Sequence, residues 1–159
     1  MTRPRNIIVA DIDPDMRTII RMHFDAFGFV VFQAAHGLEA VDLAERTDAR
    51  LVLLHTDLPR LGAYEACARI RRLAGYRDTP IVMMTVGESP KVRAAARWAG
   101  ATKVVVKPLS VIDLCRELEP LMTDPEDPPL PVPWRGLAEA SPPLIWQPKT
   151  KLEWLGRKR

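Results

Sequence analysis

The feature that most constrains this chain is an alternation repeated along it: short runs that are apolar without interruption, each succeeded by a stretch whose apolar residues recur at helical spacing. Asn6-Ile7-Ile8-Val9-Ala10 is the first such run, and it ends in Asp11-Ile12-Asp13-Pro14-Asp15. A strand apolar at successive positions needs cover on both faces, which points to a parallel sheet between helix layers and away from a half-solvated antiparallel one. The next stretch reads as a helix, with Asp13 as cap, Pro14 at its first position, Asp15 complementing the dipole, apolar Met16, Ile19, Ile20 and Phe27, and Gly28 as the stop. The pattern then repeats: strand Val30 to Ala34, helix Leu38 to Arg46, strand Leu51 to Leu54 ending at His55, helix Ala63 to Leu73, strand Ile81 to Met84, helix Lys91 to Ala99, strand Val104 to Val106, and a last helix capped by Ser110. Such sheets bind ligands beyond the carboxyl ends of their strands, where Asp11, Asp13, His55, Asp57, Thr85 and Lys107 all fall.

Beyond Met122 the character changes. Pro125, Pro128, Pro129, Pro131, Pro133, Pro142, Pro143 and Pro148 preclude a regular domain, so residues 123–159 read as an irregular Pro-rich extension to a domain at 1–122. Leu130, Trp134, Leu144, Trp146 and Trp154 are too many large apolar groups for a solvated linker, so the extension is expected to pack on the domain or on a partner. Its end, Lys149 to Arg159, sets five bases against one acid. One short basic run with one aromatic is a weak nucleic-acid signal, and a solvated terminus is the reading preferred. A net charge of +3 says nothing about partners by itself. With 47% hydrophobic residues but no long apolar run, no spanning helix is expected, and no signal peptide is apparent before the first strand. Cys67 and Cys115 fall on helical apolar faces without metal spacing, as packing residues of a cytoplasmic protein would.

Six motifs stand in order at their matching elements: Ile7 to Asp11, Ala35 to Ala40, Leu51 to Pro59, Pro80 to Thr85, Ala99-Gly100-Ala101 and Val106-Lys107-Pro108. On these, residues 5–122 resemble the receiver domain of bacterial response regulators, the CheY-like module of two-component signalling. The resemblance implies a flavodoxin-like α/β fold, a five-stranded parallel sheet in the order 2-1-3-4-5 with helices on both faces. It also implies a site in which an aspartate at the end of the third strand accepts a phosphoryl group. Two consecutive acids after the first strand and a carbonyl past the acceptor would hold magnesium, while a Thr and a Lys contact the phosphoryl oxygens. Thr85, Lys107 and Asp11 match, and Asp57 lies in the stretch that supplies the carbonyl. The other two positions depart: Ile12 stands at the second acid and His55 at the acceptor.

Both departures have chemical consequences. Isoleucine has no lone pair for a hard cation, which leaves Asp11 and Asp57 as a weak magnesium site, and no other cofactor is expected. An imidazole cannot form an acyl phosphate, and Lys107 beside it would favour its neutral form over any imitation of a phosphate. The pattern therefore reads as a pseudo-receiver, non-enzymatic, with His55, Thr85 and Lys107 a degenerate phosphorylation site. His55 as a satisfied strand-end residue, bonded to Asp11, Asp57 or backbone, is the plain account. A transition-metal site of His55 with Asp11, Asp13 and Asp57, and phosphorylation displaced to Asp57 or His55, are the alternatives. Lys107 would then serve to neutralise the acidic pocket, and the Lys107-Pro108 bond is cis in the family. Signals would pass by protein contacts with a histidine kinase or output partner, or in a homodimer through residues 91–121 or the extension; DNA binding by the basic end is the competing class.

Overall fold

The structure, a computed structural model, describes residues 3–107 and 110–128. Strands and helices alternate through them: β1 (Asn6–Ala10), α1 (Pro14–Asp25), β2 (Val30–Ala34), α2 (Gly37–Arg46), β3 (Ala49–His55), α3 (Ala63–Arg72), β4 (Ile81–Thr85), α4 (Pro90–Ala99), β5 (Lys103–Val106) and α5 (Val111–Met122). All strand pairs are parallel, in the order β2-β1-β3-β4-β5. This is the CheY-like flavodoxin fold. Because the order reverses between β1 and β3, a crevice opens at their carboxyl ends, and the site lies there.

Alternate residues of each strand serve opposite layers. Ile7, Val9, Leu51 and Leu53 pack under α1 and α5, against Ile20, Phe24, Leu114 and Leu118. Ile8, Val52, Leu54 and Met83 pack under the helices of the other face, against Ala40, Ala66, Ile70 and Ala96. β3 and β4, two of the three inner strands, are buried at every position, whereas Val30 on edge strand β2 is exposed. Helix ends obey capping chemistry. Asp13 accepts from the Asp15 amide at 2.9 Å, Ser89 and Ser110 cap α4 and α5, and Gly100 ends α4 in the left-handed region at φ 93. The expected helix from Leu38 begins a residue earlier because His36 caps it: its Nδ1 accepts from the Glu39 amide at 3.1 Å while the Glu39 carboxylate accepts from the Ala35 amide at 2.8 Å.

The chain does not leave the domain at the end of α5. Residues 123–128 turn back beneath the amino ends of the strands, where Arg50, 5% exposed at the start of β3, donates to the Asp127 carboxylate and to the carbonyls of Arg3 and Met122. Arg5 donates to the Pro128 carbonyl at 3.2 Å. The expectations for the basic end and for the Lys107-Pro108 bond lie outside the described residues. Among the described residues no helix is long and apolar enough to cross a membrane.

Candidate functional site

Three adjacent strand ends and the residue after β5 bring the polar groups together. Asp11 comes directly after β1, His55 closes β3, Thr85 closes β4, and Lys107 comes directly after β5, its amide donating to the Thr85 carbonyl at 2.7 Å. All four are buried. Lys107 Nζ lies 2.6 Å from Asp11 Oδ2, and Asp11 Oδ1 accepts from the Asp13 amide at 2.9 Å. A buried cation therefore meets a buried carboxylate whose second oxygen is also hydrogen-bonded, the condition under which such a pair is tolerable in a low-dielectric interior. Thr85 Oγ1 donates to the Gly87 carbonyl at 2.8 Å and ties down the loop entering α4.

His55 accepts at Nδ1 from the Asp57 amide, 3.1 Å away. A ring that accepts at Nδ1 carries its proton on Nε2 when neutral. Burial pushes its pKa below the ordinary histidine value; the charge on Asp11 opposes that shift and Lys107 reinforces it. The expectation of a neutral ring stands, but burial leads and the ammonium is secondary. Neither nitrogen then offers an uncommitted lone pair: Nδ1 is bonded and Nε2 is protonated.

Asp57, two residues past the strand, is exposed and forms no ion pair among the described residues. Asp13 is the α1 cap, as its position suggested. Among the described residues no three His, Cys, Asp or Glu side chains are grouped to hold a metal ion: Asp13 caps its helix and Asp57 is exposed. Magnesium fits these residues poorly as well. Both Asp11 oxygens are already engaged, and Ile12, 43% exposed, supplies no donor.

One structural feature of the site has no counterpart in the sequence pattern. Arg60 has φ 68 inside a three-residue turn closed by the Leu61 amide on the Pro59 carbonyl at 2.8 Å. The turn is seated on the start of α2. The Gly37 amide donates to the Pro59 carbonyl, a Cβ at Gly37 would stand 2.0 Å from the Leu61 carbonyl oxygen, and Arg60 Nη1 lies 3.1 Å from His36 Nε2. The glycine at a helix start was a legible signal; nothing in the residue type of Arg60 announces a left-handed backbone. The free thiols of Cys67 and Cys115 are pushed up by burial to about 11 and about 12, so both are unreactive packing groups.

A doubly wound domain with a Lys–Asp pair, a Thr and a substituted strand-end residue around one crevice defines a class, and comparison with known proteins agrees. Residues 7–119 match the family model described as the response regulator receiver domain. Response regulator MprA of Mycobacterium sp. strain KMS is 31% identical over 128 residues, covering 79% of this chain and 55% of that protein. A response regulator protein from Burkholderia multivorans, solved in solution, is 32% identical with a TM-score of 0.66, covering 79% of this chain and 100% of that one. The receiver domain of sensor histidine kinase PA1611 from Pseudomonas aeruginosa PAO1, solved with a magnesium ion coordinated in its active-site cleft, is 28% identical with a TM-score of 0.68, over 75% of this chain and 98% of that one. The chain belongs to the response regulator receiver domain family and so to two-component signalling, whose receivers interact with histidine kinases or output partners. It spans about half the length of the MprA relatives it matches.

Proposed function

We propose that this chain is an atypical response regulator, cytoplasmic and non-enzymatic, that signals by protein contacts and has lost aspartyl phosphorylation. The observation that carries the reading is His55: a buried imidazole at the end of β3, bonded through Nδ1 to the Asp57 amide, where receivers of the family carry the acceptor. Such a ring can form neither an acyl phosphate nor, in this tautomer, a phosphoramidate at Nε2 without first losing its proton. The Lys107–Asp11 pair then serves structure, as the counter-charge of a crevice with no phosphoryl group to hold. Magnesium would bind weakly, through Asp11 alone among the expected acid pair, with Asp57 able to add a carbonyl. His55, Thr85 and Lys107 take no catalytic role.

Partners would be a histidine kinase or an output protein. A homodimer through residues 91–121 predicts that charge reversal at Arg93 and Arg97 abolishes association in sedimentation experiments. Binding of DNA through Lys149 to Arg159 is the less favoured class, and would appear as strongly salt-dependent binding.

The deciding experiment is intact mass after incubation with acetyl phosphate and magnesium, run on the native chain and on the His55→Asp, Ile12→Asp double variant. A phosphoryl gain by the variant alone is the expected result. A gain by the native chain would sink the reading, and the labelled residue would be sought first at Asp57, an exposed carboxylate beside the crevice.

A further inference from the structure

Trp98, in the last turn of α4, is 91% exposed. An indole has among the most apolar surface of any side chain to gain by burial, and here its surroundings leave it in water. Ala94 and Ala95, one turn back on the same side of the helix, are too short to reach over the ring. The groove between α4, β5 and α5 does not take it either, being lined from α4 by Arg93, Ala96 and Arg97. On the opposite flank lies α3, where Arg71 donates to the Gly100 carbonyl from Nε at 3.1 Å and from Nη2 at 2.7 Å, so the two helices end side by side. Trp98 thus stands on the crest of α4, on the flank shared with α3.

The charge around the indole is uncompensated. From Ala63 to Lys103 the chain carries eight basic side chains against three acidic ones. Arg69 pairs with Glu65 at 2.6 Å, Arg93 with Glu88, and Arg71 spends its donors on backbone carbonyls. Arg72 at the end of α3, Lys91 two turns before Trp98, and Arg97 beside it are exposed, and among the described residues their side chains form no ion pair or hydrogen bond. Exposed Trp and Arg are the residue types that most often dominate binding between proteins. A cation without a partner in the free protein gains from an incoming carboxylate without breaking an existing pair. A nucleic acid backbone fits less well, since Glu65, Asp78 and Glu88 stand exposed among these cations, where a regular row of phosphates would meet them. A peptide can set carboxylates opposite the cations and leave its other positions neutral.

We infer that the α3–α4 face docks an acidic segment of another protein, with an apolar side chain packed on the Trp98 indole and carboxylates opposite Arg72, Lys91 and Arg97. Such docking presupposes that the chain signals through protein contacts, and it gives that contact a place and a sign of charge. His55 takes no part in it, so acetyl phosphate labelling can go either way without changing what binds at Trp98. Arg72 lies outside residues 91–121, which separates this face from the dimer surface.

The test pans a phage-displayed library of short random peptides on the full chain and, in parallel, on its Trp98→Ala variant, an exposed substitution whose folding circular dichroism checks. Peptides enriched on the native chain alone are then synthesised with a fluorescent label and titrated by anisotropy. The expected result is an excess of Asp and Glu around an apolar residue, with binding about tenfold or more weaker to Trp98→Ala and to Arg72→Glu. No enrichment on the native chain, enrichment without acidic bias, or equal affinity for both variants overturns the assignment. A single-stranded oligothymidylate that binds more tightly than the peptides, and loses affinity in the same variants, overturns it in favour of nucleic acid. Sedimentation in which the native chain self-associates and Trp98→Ala does not overturns it in favour of a second copy.

Discussion

Placing an imidazole at the end of β3 makes its protonation harder in the folded protein than in the unfolded chain, because burial disfavours the charged ring. With the folded pKa lowered, the unfolded chain binds the proton first. The contribution of neutral His55 to stability is complete above the unfolded value of about 6.5 and is lost as pH falls through and below it. His55→Asn should therefore flatten the dependence of stability on pH just below about pH 6.5, by at most about 1.4 kcal/mol per pH unit. Urea denaturation at a series of pH values measures this, and an unaltered slope would refute it. Lys107 and Asp11 form a different kind of dependence. Lys107→Met leaves a buried carboxylate with one backbone partner and should cost about 3 kcal/mol or more, of which Asp11→Asn in the same chain recovers a large part. If the double variant is as unstable as the single one, the Coulombic partnership is not what holds these residues.

At the scale of elements, the loop after β3 is fixed by contact with α2 rather than by its own preferences. Gly37 admits the Leu61 carbonyl where any side chain would collide with it, and that docking holds Arg60 at φ 68, a conformation costing an L-residue about 1 kcal/mol or more. Arg60→Gly removes the strain but also some rigidity of the unfolded chain. The balance should be a gain of about 0.5–1 kcal/mol. A higher urea midpoint at unchanged slope is the expected observation, and a lower one would mean that the lost rigidity of the unfolded chain outweighs the strain.

At the scale of the whole molecule, residues 123–128 pack at the base of the sheet. Arg50 is a buried guanidinium whose Nε has no hydrogen-bond partner among the described residues, and the carboxylate of Asp127 is its charged partner. The hydrogen bond from Arg50 holds the Asp127 carboxyl below the usual carboxylate range. Its stabilising contribution is thus present above the unfolded value of about 3.9 and disappears as pH falls through the lower folded one. Asp127→Asn should lower the unfolding temperature at neutral pH and leave less acid sensitivity behind it. Asp25→Asn, which removes only an exposed pair with Arg21, is the control expected to stay within about 0.5 kcal/mol. Equal effects of the two would show that the Arg50 contact does not anchor the extension.

Residue order alone determined whatever depends on near neighbours: which stretches are strands, from unbroken runs such as Leu51 to Leu54, and which are helices, from spacing and from caps such as Asp13 and Ser110. Because the strand order is implied once the six motifs are recognised together, the crevice and its occupants Asp11, His55, Thr85 and Lys107 were legible as well. Distances between elements decided the rest. The Lys107–Asp11 pair spans 96 residues, the Arg50–Asp127 pair 77, and the left-handed Arg60 answers to Gly37 on another helix. None of these can be read locally, since burial and docking select the partner, the protonation state and the backbone angle only after the layers have closed on one another.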